Sequence, residues 1–244
     1  MLKNKSILVT GVGKGLGLDL LKKISLYDGF VYGITRSRSD IKKFKKIKNC
    51  KVFLGNINNS KILIKVLNQS KNDKKLITGL VNNAGERQRM PMQNISQVKL
   101  KKLFETNFFS VFENMKIFSN YLKKNKIPGS IVNIGSIVGN NGFSELSGYA
   151  STKTALIGLT KSFAVEMANN NIRANLINPG FIKTSYFQKF KKKNKLYKWT
   201  LSRIPQKRWG EPDEVSQLAC FLLSDLSTYI NGTIINIDGG WTGS

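Results

Sequence analysis

The sequence contains no histidine and only two cysteines among its 244 residues. Without histidine, neither a Ser-His-Asp triad nor a Cys-His pair can form, so hydrolases of those kinds are excluded. Cys50 and Cys220 lie far apart and lack the spacing of zinc ligands, which predicts that there is no metal site. A general acid or base must therefore be a tyrosine, a lysine or a carboxylate.

Acidic residues and long apolar runs are also scarce. Aspartate and glutamate total 14 against 40 lysines and arginines, a formal net charge of +26. Only seven of the basic residues are arginine, and the scattered lysine runs favour a solvated surface over a nucleic-acid interface. No run approaches the ~20 apolar residues of a membrane helix, and the N-terminal run is shorter than a signal-peptide core. We expect a soluble cytoplasmic protein without membrane or nucleic-acid partners.

Apolar runs of strand length alternate with helical patterns along the chain, which is typical of βαβ architecture. The length suits a single domain over 1–244. Because the runs are apolar almost throughout, they predict an α/β fold, a doubly wound parallel sheet with helices on both faces. The predicted strands are 6–10, 30–35, 51–54, 77–82, 130–136, 173–178 and 233–237.

Residues that follow these strands are the candidates for chemistry, because such sheets bind ligands at the carboxyl ends of their strands. The first strand runs into TGVGKGLG at 10–17, a glycine-rich turn that suits a pyrophosphate at a helix N-terminus. The fourth predicted strand ends in Asn-Asn-Ala-Gly at 82–85, and the fifth ends on Ser136. Tyr149 and Lys153 follow at i and i+4 and share a helix face.

In this combination the sequence resembles the short-chain dehydrogenase/reductase family over its whole length. The resemblance implies a Rossmann-type fold that binds a nicotinamide dinucleotide and interconverts a ketone and a secondary alcohol by hydride transfer. The matching features are T-G-x-x-x-G-x-G at 10–17, N-N-A-G at 82–85, Asn107, Ser136, Tyr149 with Lys153, Asn178-Pro179-Gly180 with Thr184, and Ile237-Asp238-Gly239-Gly240.

The resemblance implies four catalytic residues. Tyr149 exchanges a proton with the substrate oxygen, Ser136 holds that oxygen, and Asn107 fixes a water that links Lys153 to solvent. An ordinary tyrosine has a pKa near 10, so its use at neutral pH requires nearby positive charge. We expect Lys153 and the oxidised nicotinamide to lower the pKa of Tyr149.

The implied cofactor is NADP(H) rather than NAD(H). Members of this family that use NADP tend to have a basic residue before the second motif glycine, and Lys14 occupies that position here. Members that use NAD tend to have an acidic residue at the end of the second strand, but here Thr35 occupies that position and is followed by Arg36. Two cations near a 2′-phosphate would bind it through charge-assisted contacts. The implied cofactor residues are Gly11, Gly13, Lys14, Gly15, Leu16, Gly17, Thr35, Arg36, Asn56, Ile57, Asn83, Ala84, Gly85, Tyr149, Lys153, Pro179, Gly180, Ile182 and Thr184.

The substrate is a small molecule, and two subfamilies look similar. Arg87, Arg89 and Trp241 look like the residues of dehydrogenases that act on sugar acids and polyols. This subfamily is the favoured assignment. The alternative is a 3-oxoacyl-[acyl-carrier-protein] reductase of fatty acid synthesis. A remote alternative is an inactive binding or regulatory protein, but the presence of Ser136, Tyr149 and Lys153 argues against it. The implied substrate residues are Ser136, Arg87, Arg89, Tyr149 and Tyr186.

The segment 181–211 is predicted to be a mobile substrate lid. Its aromatic residues can line one side of short helices while its lysines crowd the other, where they would favour an anionic substrate. By resemblance, we also expect a homotetramer built on the helices predicted at about 96–124 and 149–169.

Overall fold

The computed structural model describes residues 1–185 and 187–243, apart from the side chain of Lys189. Within these residues, one parallel sheet has the strand order β3-β2-β1-β4-β5-β6-β7. This order confirms the predicted doubly wound fold. The strands are β1 (Ser6–Thr10), β2 (Phe30–Thr35), β3 (Cys50–Leu54), β4 (Ile77–Asn82), β5 (Gly129–Ile134), β6 (Ile172–Pro179) and β7 (Ile234–Ile237). β5 ends two residues earlier than predicted, which leaves Ser136 in the loop that follows it.

Helices cover both faces of the sheet. Those that the structure describes are α1 (Gly15–Leu26), α2 (Ile41–Phe44), α3 (Lys61–Asn72), α4 (Gln97–Phe104), α5 (Ser110–Asn125), α6 (Ser147–Met167), α7 (Phe187–Lys191), α8 (Asn194–Arg203) and α9 (Pro212–Leu223). α3, α5 and α6 pack on one face, and α1, α2 and α9 pack on the other. None of the helices described is both long enough and apolar enough to cross a membrane.

The continuous apolar strands are explained by burial on both faces. Leu8 points into one core, while its neighbours Ile7 and Val9 point into the other, and all three are fully buried. Burial of each such side chain contributes roughly 1.5–3 kcal/mol.

A buried polar ladder joins the two central strands to the helices above them. The Asn114 amide donates to Asn82 Oδ1 (3.1 Å), the Asn82 amide donates to Asn133 Oδ1 (2.9 Å), and the Asn133 amide donates to Thr160 Oγ1 (2.9 Å). All four residues are buried. Because the ladder links β4, β5, α5 and α6, it fixes the relative positions of the strand ends that carry the site.

The segment predicted to be a lid packs as an aromatic cluster. Phe190 and Trp209 are buried against each other with ring centroids 4.9 Å apart, and Phe181 and Phe187 pack on the same indole. The Trp209 indole N–H donates to Thr200 Oγ1 at 2.9 Å, inside the cluster. The mobility of this segment stays a prediction.

Candidate active site

Two adjoining cavities lie at the carboxyl edge of the sheet. The first, of about 480 Å³, lies over the glycine-rich turn after β1. The second, also about 480 Å³, lies beside Tyr149, and we call it the substrate cavity. Of the predicted cofactor residues, Tyr149, Pro179, Gly180 and Ile182 line only the second cavity, and Lys153 lines neither cavity. Those that line the first are Gly11, Gly13, Lys14, Gly15, Leu16, Gly17, Thr35, Arg36, Asn56, Ile57, Asn83, Ala84, Gly85 and Thr184.

The glycine-rich turn has the geometry of a dinucleotide cradle. Gly11 has φ +73°, and a Cβ there would lie 2.9 Å from Ala84 Cα, so only glycine lets the turn approach the end of β4 this closely. The Asn83 amide donates to the carbonyls of Thr10 (2.9 Å) and Gly11 (3.2 Å) and locks the two segments together. Because α1 starts at Gly15, its free N–H groups open into the cavity and suit a phosphate.

The rim of the first cavity beside Thr35 contains two carboxylates that the sequence did not indicate, those of Asp40 and Glu86. The Thr35 hydroxyl donates to Asp40 Oδ2 at 3.2 Å, and Lys43 pairs with Asp40 Oδ1 at 2.6 Å. The Arg36 guanidinium pairs with Glu86 at 3.0 Å, although its side chain remains 72% exposed. The rim therefore combines the predicted cations with two carboxylates.

Ser136 is fixed by three hydrogen bonds. Its backbone N–H donates to Asn178 Oδ1 at 2.9 Å, its Oγ accepts from the Val138 N–H at 3.3 Å, and its side chain bonds to Tyr149. Ser136 thus begins a short 3₁₀ turn instead of ending β5, and it lines the substrate cavity.

Tyr149 and Lys153 lie on the first turns of α6, as their spacing predicts. Tyr149 lines the substrate cavity, whereas Lys153 is buried, donates to the Ile134 carbonyl at 2.7 Å and lies 5.8 Å from the centroid of the Tyr149 ring. Burial lowers the pKa of Lys153 to about 8.

The lowering of the Tyr149 pKa expected from Lys153 and the oxidised nicotinamide stays a prediction, and without the cofactor the shift has the opposite sign. Burial raises the pKa of Tyr149 above its ordinary value, while the positive charge of Arg87 and the hydrogen bond with Ser136 oppose that rise. Loss of hydration around the phenolate outweighs the favourable charge and hydrogen bond. The cation that opposes the rise is Arg87 instead of Lys153.

Asn107 is buried in a π-helical turn between α4 and α5. Its Oδ1 accepts from the Glu86 N–H (2.8 Å), and its amide donates to the Glu86 carbonyl (2.9 Å) and to Thr152 Oγ1 (3.1 Å). The side chain thus holds the segment after β4 against α6. A role for Asn107 in a water relay stays a prediction.

Arg87 and Arg89 line the cavity beside Tyr149, and Arg89 also pairs with Glu145 at 2.7 Å. The predicted substrate residue Tyr186 lies outside the described residues. Phe143, Phe181 and Trp209 complete the apolar wall and were not predicted as site residues. Phe181 and Trp209 belong to the aromatic segment 181–211 that was predicted to be a lid, whereas Phe143 lies in the loop after β5, where no local pattern indicated it.

Comparison with known proteins gives a consistent result. A family model described as Enoyl-(Acyl carrier protein) reductase matches residues 28–242. A tropinone reductase homolog of Arabidopsis thaliana is 33% identical over 99% of this chain and 93% of its own length. The 2-dehydro-3-deoxy-D-gluconate 5-dehydrogenase of Bacillus subtilis is 32% identical over 98% of this chain and 95% of its own length. A 3-oxoacyl-[acyl-carrier-protein] reductase of Buchnera aphidicola is 32% identical over 98% of both chains.

Solved structures share the whole fold. A protein of Agrobacterium tumefaciens assigned as a gluconate dehydrogenase has a TM-score of 0.94 at 27% identity, covering 100% of this chain and 98% of its own. A second protein of that organism, assigned as a 2-deoxy-D-gluconate 3-dehydrogenase with bound NADP, has a TM-score of 0.89 at 27% identity with the same coverage.

Proposed function

The chain belongs to the short-chain dehydrogenase/reductase family, and from that premise we propose that it is an NADP(H)-dependent oxidoreductase that interconverts a ketone and a secondary alcohol. Its substrate is a small polar or anionic molecule such as a sugar acid or polyol. The observation that carries the proposal is the placement of Ser136 and Tyr149 in one cavity with Arg87, directly beside the dinucleotide cradle.

The chain's own groups would move the proton. In ketone reduction, the Tyr149 hydroxyl donates its proton to the carbonyl oxygen, and Ser136 orients that oxygen by hydrogen bonding. In alcohol oxidation the same proton returns, so the reaction needs the deprotonated tyrosine. Arg87 supplies the positive charge that acts on the Tyr149 pKa, whereas Lys153, buried one helical turn along α6 with its amine 5.8 Å from the centroid of the Tyr149 ring, would add to that charge once the cofactor is bound.

The dinucleotide would be held by residues of the first cavity. The turn from Gly11 to Gly17 suits its pyrophosphate, and Asn56 and Ile57 line the part of the cavity away from Tyr149. When bound, the nicotinamide supplies or accepts the hydride. Thr184 lines both cavities and would therefore lie where cofactor and substrate meet.

The preference for NADP(H) is supported by charge at the rim. Lys14 and Arg36 line the cradle, and Thr35 stands where an acid would bind ribose hydroxyls. Solved neighbours carry both types of cofactor: one is complexed with NADH, and another has bound NADP. Discrimination in this chain would therefore depend on its own rim residues.

The assignment to a sugar acid or polyol is supported by the two arginines beside Tyr149 and by the gluconate-related relatives. A second candidate, reduction of 3-oxoacyl groups on a carrier protein, is favoured by the Buchnera relative. The net charge of +26 would also attract an acidic carrier.

The proposal is tested by rates of NADPH and NADH oxidation with a panel of keto sugar acids, 3-oxoacyl thioesters and simple ketones. We expect the highest kcat/KM with NADPH and a keto acid, and a loss of about 100-fold or more in Tyr149→Phe because proton transfer is lost. Higher kcat/KM for thioesters would favour the second candidate. A preference for NADH would reject the cofactor assignment.

We also propose a homotetramer. Phe109 and Phe112 at the start of α5 are 51% and 47% exposed, and Val165 on α6 is 79% exposed, so the two helices present apolar surface that association would cover. A monomer in sedimentation at micromolar concentration would reject this assembly.

A further inference from the structure

A third cavity, of about 560 Å³, adjoins the substrate cavity on the side away from the dinucleotide cradle. Arg87, Arg89, Phe143 and Phe181 line both cavities, so the two spaces share a wall and Arg87 lies at their boundary. We call this space the outer chamber. Its remaining lining comes from α7 and α8, from the segment after β5 and from the 3₁₀ turn at Trp241–Gly243, and includes Asn141, Leu196, Trp199, Arg203, Trp241 and Thr242.

The walls of the outer chamber are flat and aromatic. Phe143 stacks on Trp241 with centroids 5.7 Å apart and planes at 21°, and Trp199 meets Trp241 edge-on at 5.6 Å. Trp241 is only 8% exposed, whereas Trp199 is 45% exposed and forms the open side. Such surfaces suit the C–H face of a sugar or a short carbon chain.

The charge in the outer chamber is positive. Arg87, Arg89 and Arg203 line it, and the lining residues that the structure describes include no aspartate or glutamate. Arg89 is paired with Glu145, but Arg203 makes no salt bridge within the described part of the chain. The Arg203 guanidinium instead lies 5.6 Å from the centroid of the Trp241 ring. A guanidinium held on an indole keeps its N–H groups available for an anion.

We propose that the outer chamber binds the far end of the substrate and that Arg203 binds a second anionic group there. The proposal rests on the proposed function, which places the reacting carbonyl at Tyr149. The substrate class is then an extended acid with two anionic groups, one near Arg87 and one near Arg203, separated by a carbon chain that lies on Trp199 and Trp241. A carboxylate or a phosphate could fill the second position, since both accept paired hydrogen bonds from arginine.

Three sugar acids of the same carbon number test this assignment by binding alone. Gluconate carries one carboxylate, glucarate carries two, and 6-phosphogluconate carries a carboxylate and a phosphate. With calorimetry on the NADPH-loaded protein, we expect glucarate or 6-phosphogluconate, or both, to bind at least about 10-fold more tightly than gluconate, because a charged hydrogen bond contributes this much. A gain for only one of the two identifies the second anion.

The decisive variant is Arg203→Gln, which should remove the difference between gluconate and the dianionic ligands. Arg203→Lys should keep part of it. Lys198→Gln is the matched control, since Lys198 lies exposed on α8 but does not line the chamber. Equal affinities for the three ligands, or equal weakening of all three in Arg203→Gln, would overturn the inference. Failure of the proposed function is separable, because it appears as no Tyr149-dependent NADPH oxidation with any ketone of the panel.

Discussion

The side-chain oxygen of Asn178 accepts the backbone N–H of Ser136 at 2.9 Å, and this contact fixes the position of Ser136. The Asn178 amide in turn donates to Asn236 Oδ1 at 3.2 Å, and the Asn236 amide donates to Thr242 Oγ1 at 2.9 Å. The serine is thus connected through β6 and β7 to the turn that carries Trp241. Gly135 permits this arrangement, because a Cβ at that position would collide with the Asn178 side chain.

We predict that Asn178→Ala lowers kcat by about 10-fold or more, because Ser136 loses its anchor and the substrate oxygen is held less well. The KM for the dinucleotide should change little. Steady-state kinetics with both substrates separate these effects, and Asn178→Asp should recover part of kcat because a carboxylate still accepts from the N–H.

Asn140→Ala is the matched control, because exposed Asn140 reaches only Asn236 (3.3 Å) in the same chain of contacts. An equal fall in kcat in both variants would mean that general loosening, and not the position of Ser136, explains the effect.

Removal of the Arg87 charge should shift the pH profile of alcohol oxidation to higher pH. The reaction needs deprotonated Tyr149, and the positive charge of Arg87 opposes the rise that burial imposes on the Tyr149 pKa. Arg87→Gln therefore raises that pKa further, and the ascending limb of kcat/KM against pH moves upward, while Arg87→Lys should leave it nearer the wild-type position. If the ascending limb of the pH profile stays at the same pH in Arg87→Gln, then Arg87 does not influence the pKa of Tyr149.

Lys153 should make folding stability increase with pH above about 8. Its pKa is about 8 in the folded protein and 10.5 ordinarily, so between these values the unfolded chain binds the extra proton and stability rises with pH. The full difference between these two values corresponds to about 3 kcal/mol. Lys153→Met should therefore be stabilised relative to wild type more at pH 7 than at pH 10, as measured by urea unfolding. A pH-independent difference would contradict this prediction.

Asp40 should oppose NADPH binding. Its carboxylate lies on the rim beside Thr35 and is only partly compensated by Lys43. Asp40→Asn is expected to raise the ratio of kcat/KM for NADPH to that for NADH by about 3- to 10-fold, since a nearby like charge in water costs roughly 1 kcal/mol. Asp28→Asn, remote from the rim on the loop before β2, serves as the control.

Three lysines of the segment predicted to be a lid should act on substrate capture from a distance. Lys191, Lys192 and Lys193 are exposed and line none of the three cavities. Their joint replacement by Gln should lower kcat/KM for an acidic substrate at low ionic strength and leave a neutral one unchanged. The effect should fade above ~0.15 M salt, where screening acts over about 8 Å. Equal losses of kcat/KM for the acidic and the neutral substrate would show that these lysines do not steer the acidic substrate.

The sequence predicted features that depend on local pattern. Each strand appears as a mainly apolar run, and Tyr149 and Lys153 share a helix face because four residues make about one turn. The glycine-rich turn was recognisable for the same reason, since the close approach of Gly11 to Ala84 requires glycine.

Features that depend on tertiary packing could not be predicted in this way. The carboxylate of Asp40 reaches Thr35 only through the conformation of the turn after β2. The direction of the Tyr149 pKa shift depends on how deeply the cavity buries the hydroxyl, which no spacing reveals. Arg203 and Trp241 are 38 residues apart and meet only because α8 folds over the last turn.

The polar ladder of Asn82, Asn114, Asn133 and Thr160 limits how this protein can vary in evolution. Each amide completes the bonding of the next, so an apolar replacement at one position leaves a buried partner unsatisfied at a cost of about 1–3 kcal/mol. A second replacement next to the first removes that penalty, and the two changes are then strongly non-additive. Substitutions at these four positions are therefore expected to occur together. A homologue that lacks one of the four polar side chains should also lack a neighbouring one.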